Sequence, residues 1–122
     1  GKVYRTQILN PSNSTGLKKK IPPELTAYQI SMTYSSEADL LNVALFGKTA
    51  KEWREDNASL KGNMRDYATL NQLLVLANIE SYNAILIEQD KPQAERVQLL
   101  NQLAVRQLKA IEEIGTNEIK KN

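Results

Sequence analysis

Three neighbouring side chains, Arg65, Asp66 and Tyr67, place a guanidinium, a carboxylate and a phenol together on a polar connector. Carboxylates beside such groups can serve acid–base chemistry, and oxygen donors can hold a hard cation, although no Asp-rich loop of calcium-binding spacing is present. The same groups can also satisfy buried amides. Asn78 and Asn83 interrupt an otherwise apolar helix pattern, and a buried amide left unpaired costs about 1–3 kcal/mol. A structural network of Arg65, Asp66 and Tyr67 with Asn78 and Asn83 is therefore favoured over a ligand site.

Two other strings invite chemistry and fail on context. Gly47, Lys48 and Thr49 spell the end of a phosphate-binding loop, but the earlier Gly of that motif falls at Asn42, and no strand precedes it. The motif needs a strand, a Gly-rich loop and a helix in that order. Of the acids Glu52, Glu55 and Asp56, the first is explained as a cap partner and the other two lie among Arg54 and Asn57 at a helix end, so the group reads as a solvated face. The chain holds no His and no Cys, which removes thiol nucleophiles, Cys/His zinc sites and serine–histidine catalysis. The expectation is a protein that is not an enzyme, with no catalytic residue, no metal site and no cofactor.

Charge is uneven. Residues 1–20 carry Lys2, Arg5, Lys18, Lys19 and Lys20 without an acid, so the arm is strongly basic while the rest of a chain whose net charge is +2 holds an excess of acids. Candidate phosphate-contacting residues are Lys18, Lys19 and Lys20, with Lys48, Lys51 and Lys61 further along. A run of Lys lacking interleaved aromatics or Arg more often keeps a linker soluble than grips nucleic acid. The longest apolar run, Leu73 to Ala77, falls far short of the ~20 residues that span a bilayer. No membrane association is expected, and the Cys-free composition suits the reducing cytoplasm. The chain opens with Gly1 rather than Met, as a processed or excised piece would.

A chain of 122 residues is long enough for one domain with a real core. Residues 1–20 read as a flexible or extended basic arm, residues 21–115 as a helical domain and residues 116–122 as a polar tail. Pro22 and Pro23 open a first helix reaching Tyr34, because Pro suits the first helical position. Ser36 caps a second helix, Glu37 to Phe46, closed by Gly47 and burying Leu40, Leu41, Ala44 and Leu45. Thr49 and Glu52 form a capping box for a third, from Ala50 to about Asp56, whose Trp53 points into the core. After the connector 57–67, Thr69 and Gln72 open a fourth helix, Leu70 to about Glu88, apolar nearly all round and so expected at the centre of the fold. A fifth runs from Pro92 to Ile114 with a stripe of Val97, Leu100, Ala104, Leu108 and Ile111, and Gly115 closes it. The fold class is all-α: a single compact bundle of about five helices, two short and two long C-terminal ones, with an extended N-terminal arm.

Several long strings carry a resemblance. IPPELT at 21–26, SEADLLNVALFGKTAKEWR at 36–54, LKGNMRDYATLNQLLVLANIES at 60–81, Asn83–Ala84 and ERVQLLNQLAVRQL at 95–108 together resemble the C-terminal region of bacterial and phage proteins that carry a KilA-N domain. Residues 1–20 depart from that pattern, being less helical and richer in Asn and Ser. The resemblance implies a prophage- or mobile-element-associated protein whose DNA-binding KilA-N module lies upstream of these residues. This chain then looks like the helical accessory domain that follows. Its expected role is non-catalytic self-association as a homo-oligomer, or contact with a protein partner, in keeping with the apolar surplus on the last two helices. Direct nucleic-acid binding through the basic arm and connector is the alternative.

Overall fold

The computed structural model describes the backbone of residues 21–121 and the side chains of residues 21–114. The basic arm with Lys18, Lys19 and Lys20 lies outside the described residues. Within them the chain is helical throughout, without a strand: α1 Ala27–Ser31, α2 Glu37–Phe46, α3 Ala50–Asp56, a 3-10 turn Met64–Tyr67, α4 Leu70–Glu88 and α5 Gln93–Lys121.

The first helix is shorter at both ends than the span Pro23–Tyr34 expected from sequence. It begins after Thr26, whose Oγ1 accepts from the Gln29 N–H at 3.1 Å while Gln29 Oε1 accepts from the Thr26 N–H at 3.0 Å. That reciprocal box fixes the start, leaving the two prolines outside the helix. At the other end, the Tyr34 N–H and C=O both bind the Gln93 side-chain amide, at 2.9 and 3.1 Å. A helix continued through Tyr34 would have used that N–H internally, so a tertiary partner takes it instead.

The second helix keeps its expected bounds. Ser36 Oγ accepts from the Asp39 N–H at 3.1 Å, and Gly47 ends the helix at φ +78° with its N–H on the Val43 carbonyl at 2.9 Å. A Cβ at Gly47 would also meet Pro23 Cγ at 2.7 Å. Every residue from Leu40 to Phe46 is buried. This helix, and not α4, is the one enclosed on all sides. It packs against α4 and α5, and α1 lies on α5.

The central position expected for α4 is therefore corrected. Gln72, Val75, Leu76, Ile79, Asn83 and Leu86 face the core, while Leu70, Leu74, Ile85 and Ile87 are exposed by 82%, 52%, 47% and 44%. Apolar residues around a helix say it can be buried; which side is buried depends on how many neighbours exist to cover it. On α5, Val97, Leu100, Ala104 and Leu108 are fully buried, and Leu99, Leu103 and Ile111 pack partly against the core. Its backbone continues through Gly115 to Lys121, so Gly115 does not close the helix. Glycine inside a helix costs roughly 1 kcal/mol against Ala, which weakens a helix without ending it.

The turn between α4 and α5 is a Schellman motif. The Lys91 N–H reaches the Leu86 carbonyl at 3.1 Å and the Asp90 N–H reaches the Ile87 carbonyl at 2.9 Å, with Asp90 at φ +60°.

Candidate functional site

The connector is more ordered than its polar composition suggests. Asn63 and Asp66 form a capping box around the 3-10 turn: Asp66 Oδ2 accepts from the Asn63 N–H at 2.8 Å, and Asn63 Oδ1 accepts from the Asp66 N–H at 3.3 Å. Tyr67 donates its hydroxyl to the Lys61 carbonyl at 2.7 Å, and its ring lies 5.5 Å from that of Trp53, tilted by 35°. Arg65 turns away toward Glu80, with 3.9 Å between guanidinium and carboxylate, on exposed surface. The trio thus has three separate tasks and does not converge on one point. A shallow cavity of about 170 Å³ lies beside Arg65, lined also by Asn42, Ala50, Asn63 and Met64. Buried Asn42 has no hydrogen-bond partner for its Oδ1 among the described residues, and a cavity this size has room for water there.

Trp53 is 1% exposed. Over it lies the Arg54 guanidinium, 4.8 Å from the ring centroid, which also donates to the carbonyls of Leu60 at 2.6 Å and Asn57 at 3.3 Å, and to that of Gly62. One cation thereby gathers the loop carbonyls that no helix satisfies. Asn57 Nδ2 adds a bond to the Trp53 carbonyl at 2.9 Å.

Neither Asn78 nor Asn83 joins the connector, which corrects the expected network. Asn78 is exposed and donates to Gln107 Oε1 at 3.0 Å. Asn83 is buried within a different cluster. Its Nδ2 donates to Glu37 Oε1 at 2.9 Å, and its Oδ1 accepts from Arg96 Nη1 at 2.9 Å. Arg96, with only 7% of its side chain exposed, also holds both Glu37 oxygens and donates from Nε to the Lys91 carbonyl at 2.9 Å. The hydrogen bond from Arg96 holds the Glu37 carboxyl below its ordinary value, with Asn83 assisting against burial, which pulls the other way. Burial, with the nearby Glu52 charge, pushes the Tyr34 phenol up. Sequence reading missed Arg96; its one signal is a cation beside Val97 and four residues before Leu100, on the buried side of α5. The cluster ties the starts of α2 and α5 to the second half of α4, and every one of its groups is occupied by another, as in a structural element.

Of the candidate phosphate contacts, Lys48 faces Asp56 at 3.7 Å, while Lys51 and Lys61 are exposed. Among the described residues no three carboxylates converge as a metal site would require, and no helix is long and apolar enough to cross a membrane. The largest unaccounted feature is apolar. The outer side of α4 shows Leu70, Leu73, Leu74, Ala77, Ala84, Ile85 and Ile87 to solvent. Comparison with protein-family models, with characterised proteins and with solved structures gives no match for this chain.

Proposed function

We propose that this chain is a non-catalytic helical accessory domain of a DNA-binding protein of KilA-N type, and that its task is protein–protein contact. DNA is held mainly by a module upstream of these residues, and the protein works in the cytoplasm, as a prophage-type factor would. The uncovered apolar side of α4 carries this reading. Five large side chains there are at least 36% exposed, on the order of 500 Å² of apolar side chain on one helix, the size of the largest apolar patch on a monomer, which is often functional. Asp66, Tyr67, Arg54 and Glu37 are bound to a cap, to loop carbonyls and to the Glu37–Asn83–Arg96 cluster.

Direct nucleic-acid binding makes an opposite electrostatic prediction. In a mobility-shift titration on duplex DNA, the accessory reading expects no complex at ~50 mM salt, where phosphate contacts are strongest. A shift that weakens steeply with added salt and disappears when Lys48, Lys51 and Lys61 are changed to Glu, or Lys18, Lys19 and Lys20 to Gln, would replace the accessory reading with the nucleic-acid one.

A further inference from the structure

The exposed side of α4 has an internal order that a generic greasy surface lacks. Leu70, Leu74, Ala77, Ser81, Ala84 and Glu88 are all exposed, at alternating steps of four and three, the spacing of a helix–helix seam. Leu70 and Leu74 fill its N-terminal end, Ala77, Ser81 and Ala84 leave its middle and C-terminal part shallow, and Glu88 closes it. We propose that this seam pairs with the same seam of a second copy, the two α4 helices running antiparallel about a two-fold axis midway between Ala77 and Ser81. The proposal rests on the protein-contact reading above and names its partner.

Volume and charge both choose this arrangement. With the axis at that midpoint, Leu74 of one copy meets Ala84 of the other, Ala77 meets Ser81, and Leu70 meets the aliphatic stem of Glu88, so no large apolar residue of the seam faces its like. A parallel pair would set Leu against Leu at one end and Ala and Ser against their like at the other, crowding one half and leaving voids in the other. The charges of α4 are Glu80 and Glu88, with no base in the helix; Glu80, beside the midpoint in either arrangement, is paired with Arg65 of its own chain, so Glu88 is the charge that discriminates. Antiparallel pairing brings Glu88 to the N-terminal end of the partner helix, where unpaired N–H groups and the dipole favour a carboxylate. Parallel pairing would place the two Glu88 side chains together. The area is also adequate: about 500 Å² from each copy gives roughly 1,000 Å² in total, at the lower end of specific interfaces, so a dimer of micromolar strength is expected. Leu73, Ile85 and Ile87 flank the seam and complete its rim.

The chain has no Cys, so introduced thiols report the geometry cleanly. Leu74→Cys and Ala84→Cys proteins, mixed and mildly oxidised, are expected to give the 74–84 cross-link in large excess over 74–74 and 84–84. In sedimentation velocity on the full chain, the wild type should pass from monomer to dimer as concentration rises through the micromolar range. Leu74→Glu should weaken the dimer at least tenfold with its helical circular dichroism intact, because Leu74 is half exposed. Adding Ala84→Lys to the same chain should restore association, since in the antiparallel pair the introduced carboxylate of each copy meets the introduced ammonium of the other. Predominant 74–74 cross-links, or no rescue by the second change, overturn the arrangement. A monomer at every concentration overturns self-pairing, as does a monomer that dimerises only when residues 1–20 are removed. Neither monomer result touches the DNA-shift test of the accessory reading.

Discussion

Replacing Arg96 with Met isolates the energetic role of the buried cluster, because Met keeps most of the side-chain volume while removing the charge. The change takes both Glu37 oxygens, Asn83 Oδ1 and the Lys91 carbonyl away from their donor. Breaking a fully buried ion pair costs roughly 3–5 kcal/mol, but the Glu37 side chain is 43% exposed and can rehydrate. The larger part of the loss then comes from Asn83 Oδ1 and the Lys91 carbonyl, at about 1 kcal/mol each or somewhat more, giving a total of about 2–3 kcal/mol. With a urea dependence of about 1–2 kcal/mol per molar, the midpoint should fall by roughly 1–3 M, read by far-ultraviolet circular dichroism.

The same cluster predicts a pH signature. The folded-state pKa of Glu37 is depressed, chiefly by the Arg96 hydrogen bond. Its contribution is therefore fully present above the unfolded value of about 4.3 and is lost as pH falls through the lower folded value. The stability gap between wild type and Glu37→Gln should be open at neutral pH and close in acid. In an Arg96→Met background that closing should largely vanish. A midpoint for Arg96→Met within about 0.3 M of wild type, or a Glu37→Gln gap constant from neutral to strongly acidic pH, would refute the assignment of stability to this cluster.

Gly47→Ala should destabilise by about 2 kcal/mol, since the left-handed backbone disfavours a side chain and the new Cβ would meet Pro23 Cγ at 2.7 Å; a thermal midpoint unchanged from wild type would contradict it. The Trp53 indole N–H has no hydrogen-bond partner among the described residues, so Trp53→Phe loses ring area and part of the Arg54 cation–π contact but no hydrogen bond. It should cost less than about 2 kcal/mol, against about 3–5 kcal/mol for Trp53→Ala. Urea titrations showing similar losses for both would instead reveal a polar role for the ring nitrogen.

Helix punctuation was readable because it is local. Ser36, Thr49 with Glu52, and Thr69 with Gln72 each satisfy N–H groups within three residues, and no distant part of the chain competes for them. The same logic applies at Thr26 with Gln29 and Asn63 with Asp66, two boxes overshadowed by the prolines and by the polar composition of the connector. The candidate cluster Arg65, Asp66, Tyr67, Asn78 and Asn83 was less legible. Proximity along the chain put the first three together, but their partners are Glu80, Asn63 and the Lys61 carbonyl, and buried Asn83 found its partners in Glu37 and Arg96, at sequence separations of 46 and 13.

What the sequence determined by itself is the all-α class, the start and end of α2 and α3, the span of α4 and the inward Trp53. These follow from capping, apolar period and side-chain volume, all properties of short segments. Tertiary structure decided which helix lies at the centre. Both α2 and α4 are rich in apolar residues, and only the arrangement of neighbours encloses the former and leaves one side of the latter bare. It also decided that Tyr34 gives its backbone groups to Gln93 rather than to a longer α1. Such choices depend on which surfaces meet in space, and a segment's own composition supplies that to neither.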